Sequence, residues 1–170
     1  MDIKIRDALP ADARAVTALV RGMAEEDKEH SPITEAYVAE YRAAPGSGIL
    51  VAELEGSPAG VLSYSIRPGL FHAAPSCLIE LLWVRADARG RGAGRTLLKM
   101  LLARAAALGC AEVSVSTMPG NAGAIRFYRR HGLTEEAVFL ESHPPPARPR
   151  PENSVPPNVP ILPTNSDLGA

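Results

Sequence analysis

Two hydrophobic periods take turns along the first 141 residues, and their order predicts the elements. The stretch IKIRDA, residues 3–8, alternates apolar and polar side chains, the period of a half-buried strand. Val16, Leu19, Val20 and Met23 then recur at helical spacing. Pro10 sits near the start of that helix, where its missing N–H costs little, and the charged run EEDKEH ends it. ITEAYVAEYRAA predicts a second, shorter helix, stopped by Pro45 and Gly46. GILVAELEG and PAGVLSYSIRPG read as strands joined at Gly56-Ser57, a hairpin signal. SCLIELLWV, residues 76–84, is an apolar run broken by one charge, Glu80, as in a central strand covered on both faces. A leucine-rich helix follows through about Leu108, then the alternating strand AEVSVST. Asn121 to His131 is helical and ends at Gly132, and EEAVFLE closes the body as a last strand. The predicted order is β-α-α-β-β-β-α-β-α-β: an α/β chain whose mixed sheet carries helices on both faces.

Composition narrows the function classes. The 170 residues are 46% apolar, enough for one domain with a proper core. A net charge of −1 gives no basic field, so neither nucleic acid nor a membrane surface is an expected partner. No unbroken apolar window reaches bilayer length, and MDIKIRDALP lacks a secretory leader, so the cytoplasm is the expected compartment. Cys77 and Cys110 are expected to be free thiols. The four histidines lie far apart without ligand spacing, so no metal site is expected. Nine of the 27 residues from Pro144 to Ala170 are proline, which marks residues 144–170 as an extended or disordered tail beyond a domain of residues 1–143.

The candidate chemistry centres on Arg89-Gly90-Arg91-Gly92-Ala93-Gly94, placed just before a helix that glycine would weaken. One reading is a phosphate cradle. Glycines let an anion approach backbone N–H groups at a helix N-terminus, and Arg89, Arg91 and Arg95 add charge. A dinucleotide fingerprint fits less well, because Arg95 stands where the third glycine belongs. An arginine–glycine RNA patch fits poorly between a strong strand and a strong helix. An ordinary strand-to-helix turn with solvated arginines also accounts for the pattern.

Arg89-x-x-Gly92-x-Gly94 resembles the signature of the GNAT N-acetyltransferase superfamily. IELLWVRADARGRGAGRTLLKML resembles that family's fourth strand, pyrophosphate loop and third helix. NAGAIRFYRRHGL resembles its second cofactor segment, with Leu133 in place of the usual Phe, and IRDALPADARAVTAL resembles its opening strand and helix. The likeness covers residues 1–141.

The resemblance implies an enzyme that moves an acetyl group from acetyl-CoA, its co-substrate, to a primary amine of a small molecule or peptide. The backbone N–H groups of Arg91, Gly92, Ala93, Gly94 and their neighbours, with Arg89 and Gly90 in the same loop, would hold the pyrophosphate. Leu82 and Val84 would offer backbone partners to the pantetheine arm. Asn121 would hydrogen-bond that arm, and it is also placed to cap its helix. Tyr128, two helical turns on, would be the general acid towards the leaving thiolate. Glu80, a lone carboxylate on an apolar strand and on the face of Leu82 and Val84 by period two, would take the ammonium proton directly or through water. A strand-edge residue or salt-bridge partner is the plainer reading of Glu80. Cys77 has no readable base and is rejected as a nucleophile.

The family's long seventh strand has no counterpart before Pro144; it is either missing or supplied by the tail or a partner, and an incomplete sheet edge makes a homodimer the expected assembly. The acidic run Glu25, Glu26, Asp27, Glu29 could attract a cationic acceptor, and SCLIELLWV has a weak likeness to diamine and polyamine acetyltransferases. The rival function is a non-catalytic acyl-CoA sensor on the same fold, for which neither Tyr128 nor Glu80 is needed. A second rival is an interaction protein acting through its proline-rich tail.

Overall fold

The computed structural model describes residues 3–142, so the proline-rich segment and its expected extended state lie outside the described residues. The chain divides into two compact units, residues 1–137 and 138–170. In the first, β1 (Ile3–Asp7) leads through a 3-10 turn at Pro10–Asp12 into α1 (Ala13–Glu26) and α2 (Glu35–Ala43). Then come β2 (Ser47–Leu54), β3 (Ser57–Arg67), β4 (Ser76–Val84), α3 (Ala93–Ala107), β5 (Glu112–Val115) and α4 (Ala122–Arg130). The strands form one sheet in the order β1-β2-β3-β4-β5, antiparallel except for the parallel β4–β5 pair.

Each face of the sheet buries its own apolar layer. Leu50, Leu62, Cys77 and Ile79 pack with Leu97, Leu98 and Leu101 of α3 and Tyr128 of α4. On the other face Ile49, Val51 and Val61 pack with Val16 and Leu19 of α1 and Val38 of α2. The three α3 leucines are fully buried, each worth roughly 1.5–3 kcal/mol of hydrophobic stabilisation. The hairpin turns at Glu55-Gly56, one residue earlier than the Gly56-Ser57 expectation. Both residues there have positive φ, 54° and 79°, as a two-residue hairpin loop requires.

One expectation needs correction. EEAVFLE forms no strand: residues 133–142 have no regular structure. Its apolar residues Ala137 to Leu140 are consecutive rather than alternating, so no single face can be buried while the other meets water. β4 has an apolar layer on each face, as expected of a central strand, but its edges differ. β5 pairs with Ser76–Ile79 and stops, so among the described residues the second half of β4 has a strand neighbour on the β3 side alone.

Candidate active site

The half-paired edge of β4 is where the site begins. Arg85 N–H donates to the Ala59 carbonyl at 2.8 Å, which fixes the alternation of the strand end. The N–H and C=O of Leu82 and Val84 therefore point away from β3, along the edge that β5 leaves open. One of these groups is already used: the Val84 carbonyl accepts from Arg89 Nε at 2.8 Å. Among the described residues nothing pairs with the backbone groups of Leu82 or with the Val84 N–H.

The open edge runs to the N-terminus of α3. Gly90 and Gly92 adopt φ of 73° and 91°, and Gly92 is the left-handed residue that starts the helix. Only glycine takes such backbone angles without strain. A Cβ at either position would meet nothing within 4 Å, so the loop faces open space on that side. The first N–H groups of α3, from Ala93 onward, have no acceptor within the helix and carry its positive dipole end. Gly94 is already inside the helix, where a Cβ would lie 3.6 Å from Leu82 Cδ2 and 3.7 Å from Phe127 Cζ. That close approach brings the end of β4, the start of α3 and α4 together.

Arg89 does not extend towards the loop's open side. Its Nη1 donates to Glu26 Oε1 at 2.7 Å and its Nη2 to Glu26 Oε2. Its guanidinium carbon lies 5.6 Å from the centre of the Trp83 ring, and Trp83 Nε1 donates to the same carboxylate at 3.0 Å. Arg89 holds the loop against the end of α1 instead of offering a free cation. Glu26, expected among acceptor-attracting acids, is spent on this pair, and Arg89 and Trp83 bring its carboxyl down to about 2. Neither partner was legible, because the pair joins positions far apart in the chain.

α4 carries the other two cofactor candidates. Asn121 caps it: the side-chain oxygen accepts from Ala124 N–H at 3.0 Å. Tyr128 is buried edge-to-face on Phe127, ring centres 5.2 Å apart. Burial alone pushes its phenol up to about 12. Among the described residues its hydroxyl has no hydrogen-bond partner.

Glu80 is not on the face of Leu82 and Val84. The β3–β4 register passes from Ser63↔Leu81 to Tyr64↔Ile79, so Glu80 is the extra residue of a β-bulge. The bulge shifts the alternation by one. Ile79 and Leu82 belong to the α3 layer, while Leu81 and Trp83 belong to the α1–α2 layer. Glu80 lines a cleft of about 230 Å³ on that second face, with Leu81, Ser63, Tyr41 and aliphatic side chains of α1 and α2. Tyr41, half-buried, donates to the Tyr64 carbonyl at 3.0 Å. Its phenol is pushed up, first by burial and then by the neighbouring Glu80 carboxylate. Tyr41 and Ser63 carried no motif, and only the fold joins them to Glu80. Cys77 is fully buried, and desolvation raises its thiol to about 11, which leaves it inert as a nucleophile.

Among the described residues no group of three or more metal-ligating side chains occurs, and no helix is long and apolar enough to cross a membrane.

The end of β4 beyond its pairing with β5, the glycine loop that opens α3, and α4 thus meet at one place. The GNAT acetyltransferase family model matches residues 14–133, and the chain belongs to that family. It is 33% identical over 108 residues to a mycothiol acetyltransferase of Cellulomonas flavigena, covering 59% of this chain and 30% of that protein. The chain thus spans about a third or less of that relative's length. Among solved structures it resembles a transcriptional regulator from Bacillus halodurans, with a TM-score of 0.73 at 24% identity, covering 84% of this chain and 99% of the other. An aminoglycoside acetyltransferase from an uncultured soil metagenomic sample, crystallised with sisomicin, matches at a TM-score of 0.73 and 21% identity, covering 84% and 95%. These two likenesses speak for the fold.

Proposed function

We propose that this GNAT acetyltransferase moves the acetyl group of acetyl-CoA to a primary amine by direct attack in a ternary complex. The observation that carries the reading is the free backbone edge at Leu82 and Val84, running into the open N-terminus of α3 at Gly92. A pantetheine amide suits the first, and a pyrophosphate suits the second. Acetyl-CoA supplies an acetyl group already activated as a thioester. The first amides of α3 bind its phosphates, and Asn121 keeps an amide –NH₂ for the arm while its oxygen caps α4. Val84 and Leu82 N–H are the donors available where negative charge develops on the thioester carbonyl.

Glu80, aimed by the bulge into the cleft, accepts the proton of the incoming ammonium, directly or through one water. Tyr128 returns a proton to the departing sulfur. Its phenol stays protonated across the working range, since its pKa is raised to about 12. Tyr128 and Glu80 both favour an enzyme over a non-catalytic acyl-CoA sensor, which needs neither. Among the described residues the outer edge of β5 has no strand neighbour, which supports pairing with a second copy of the chain.

Calorimetric titration with acetyl-CoA, beside Gly92→Glu, tests the reading. Saturable binding that the variant loses is expected, followed by thiol release with amines. Glu80→Gln should lower kcat at least tenfold at unchanged acetyl-CoA Kd. A folded wild-type protein that shows no binding refutes the proposal.

A further inference from the structure

The cleft that Glu80 lines has a composition that selects among amines. It holds about 230 Å³. Its walls are aliphatic and aromatic: Val16, Val20, Ile33, Val61, Leu81 and Tyr37 are among them. Among the described residues Glu80 is the one charged side chain in the lining, and Ser63 and Tyr41 supply neutral hydroxyls. The acidic residues of the α1 end do not enter it, and the one that ends α1, Glu26, is held by Arg89 and Trp83.

We infer that the acceptor is a small primary amine with a single positive charge and an apolar body, an arylalkylamine or branched alkylamine, whose ammonium meets Glu80 while its body fills the aliphatic cleft. This rests on the acetyltransferase reading above and names its acceptor class. A polyamine brings a second or third ammonium, and the lining offers no carboxylate to pair with it. A multi-ring amino sugar brings several ammonium groups and many hydroxyls to a lining whose polar side chains, among the described residues, are Glu80, Ser63, Tyr41 and Tyr37. Each methylene placed on those walls is worth roughly a fourfold gain in affinity. The reaction balances within this site. Glu80 or its water first takes one ammonium proton; the neutral amine then forms the C–N bond as the C–S bond breaks, Tyr128 protonates the departing sulfur so that CoA leaves as the thiol, and the second nitrogen proton, lost from the new amide, restores Tyr128 through water.

The test compares phenethylamine, 3-methylbutylamine, spermidine, sisomicin and a leucine-initiated peptide as acceptors at fixed acetyl-CoA, by thiol release. Titration of phenethylamine into the protein with CoA present gives a binding readout independent of turnover. The expected result is a kcat/KM for phenethylamine or 3-methylbutylamine at least tenfold above the other three. Ile33→Asp, a half-buried position in the segment before α2, should raise the phenethylamine Kd at least tenfold at unchanged acetyl-CoA Kd; Val20→Asp repeats the test if that variant does not fold. A preference for spermidine, sisomicin or the peptide overturns the acceptor class and leaves the acetyltransferase reading standing. So does a protein that binds acetyl-CoA and acetylates none of the five. Failure to bind acetyl-CoA overturns the acetyltransferase reading, and the acceptor class with it.

Discussion

Arg89 and Glu26 stand 63 positions apart, yet they meet in a two-pronged ion pair that ties the glycine loop to the last residue of α1. Trp83 joins both, its ring beside the guanidinium and its indole N–H on the carboxylate. Arg89 Nε also holds the Val84 carbonyl, so one side chain links the end of β4, the loop and α1. Arg89 is therefore a positioning residue whose own charge is already matched. Arg89→Ala should raise the acetyl-CoA Kd about threefold to tenfold through loss of loop order, with a stability loss near 1 kcal/mol. Calorimetry and thermal melting give the two numbers, and a Kd equal to wild type would refute the role.

The same pair has a pH signature. Glu26 is brought from 4.5 down to about 2, chiefly by Arg89 and then by Trp83. A depressed carboxyl stabilises the fold fully above pH 4.5, and its contribution fades as pH falls towards 2. The pair is nearly half exposed, so the effect is small. Glu26→Gln should lower Tm slightly at neutral pH and by a shrinking amount below pH 4.5, with the two melting curves converging near pH 2. A gap that persists undiminished at the acid end would mean that the carboxylate does not act through this ion pair. Asp7 and Asp12 are also held low, by Arg104 and Arg6, and belong equally to both proteins.

Gly92 and Gly94 sit two residues apart and should respond in opposite ways to alanine. Gly92 has φ 91°, where a side chain costs about 1–3 kcal/mol whatever the space around it. Gly94 is helical, and its added Cβ would meet Leu82 and Phe127 at ordinary contact distance. Gly92→Ala should lower Tm and weaken acetyl-CoA at least tenfold. Gly94→Ala should keep Tm within about 2 °C, since helix propensity then favours it. Melting and calorimetry on the two variants separate backbone strain from crowding.

What the sequence made legible follows from how local each signal is. The positive φ at Gly90 and Gly92 could be read because glycine before a helix has few other reasons to be there. The cap at Asn121 and the stop at Gly132 likewise depend on neighbours within one turn. The placement of Glu80 could not be read. One extra residue in β4 reverses which side chains share a face, and nothing in SCLIELLWV marks where it falls. The roles of Arg89 and Tyr41 were hidden for another reason: their partners come from other elements, α1 for one and β3 and β4 for the other. EEAVFLE has a β-prone composition, but composition alone makes no strand without a neighbour to pair with.

Tyr128 offers the sharpest separation of chemistry from stability. Its ring is buried in the α3-side core, while its hydroxyl has no hydrogen-bond partner among the described residues. Tyr128→Phe keeps the ring and removes a polar atom that makes no bond, so stability should change by less than about 1 kcal/mol, with a gain allowed. The proposed acid is lost at the same time, and kcat should fall about 10²-fold or more, at unchanged acetyl-CoA Kd. The pH behaviour gives a second handle. Burial raises the phenol from 10.0 to about 12, so the neutral form stabilises the fold fully below pH 10 and that contribution is lost as pH rises towards 12. Wild type should therefore lose stability across that alkaline window more steeply than Tyr128→Phe. Rate profiles should show no decline from Tyr128 ionisation below about pH 11. A Tyr128→Phe variant with wild-type kcat would assign the residue to packing alone, and the thiolate would then take its proton from water along the open edge of β4.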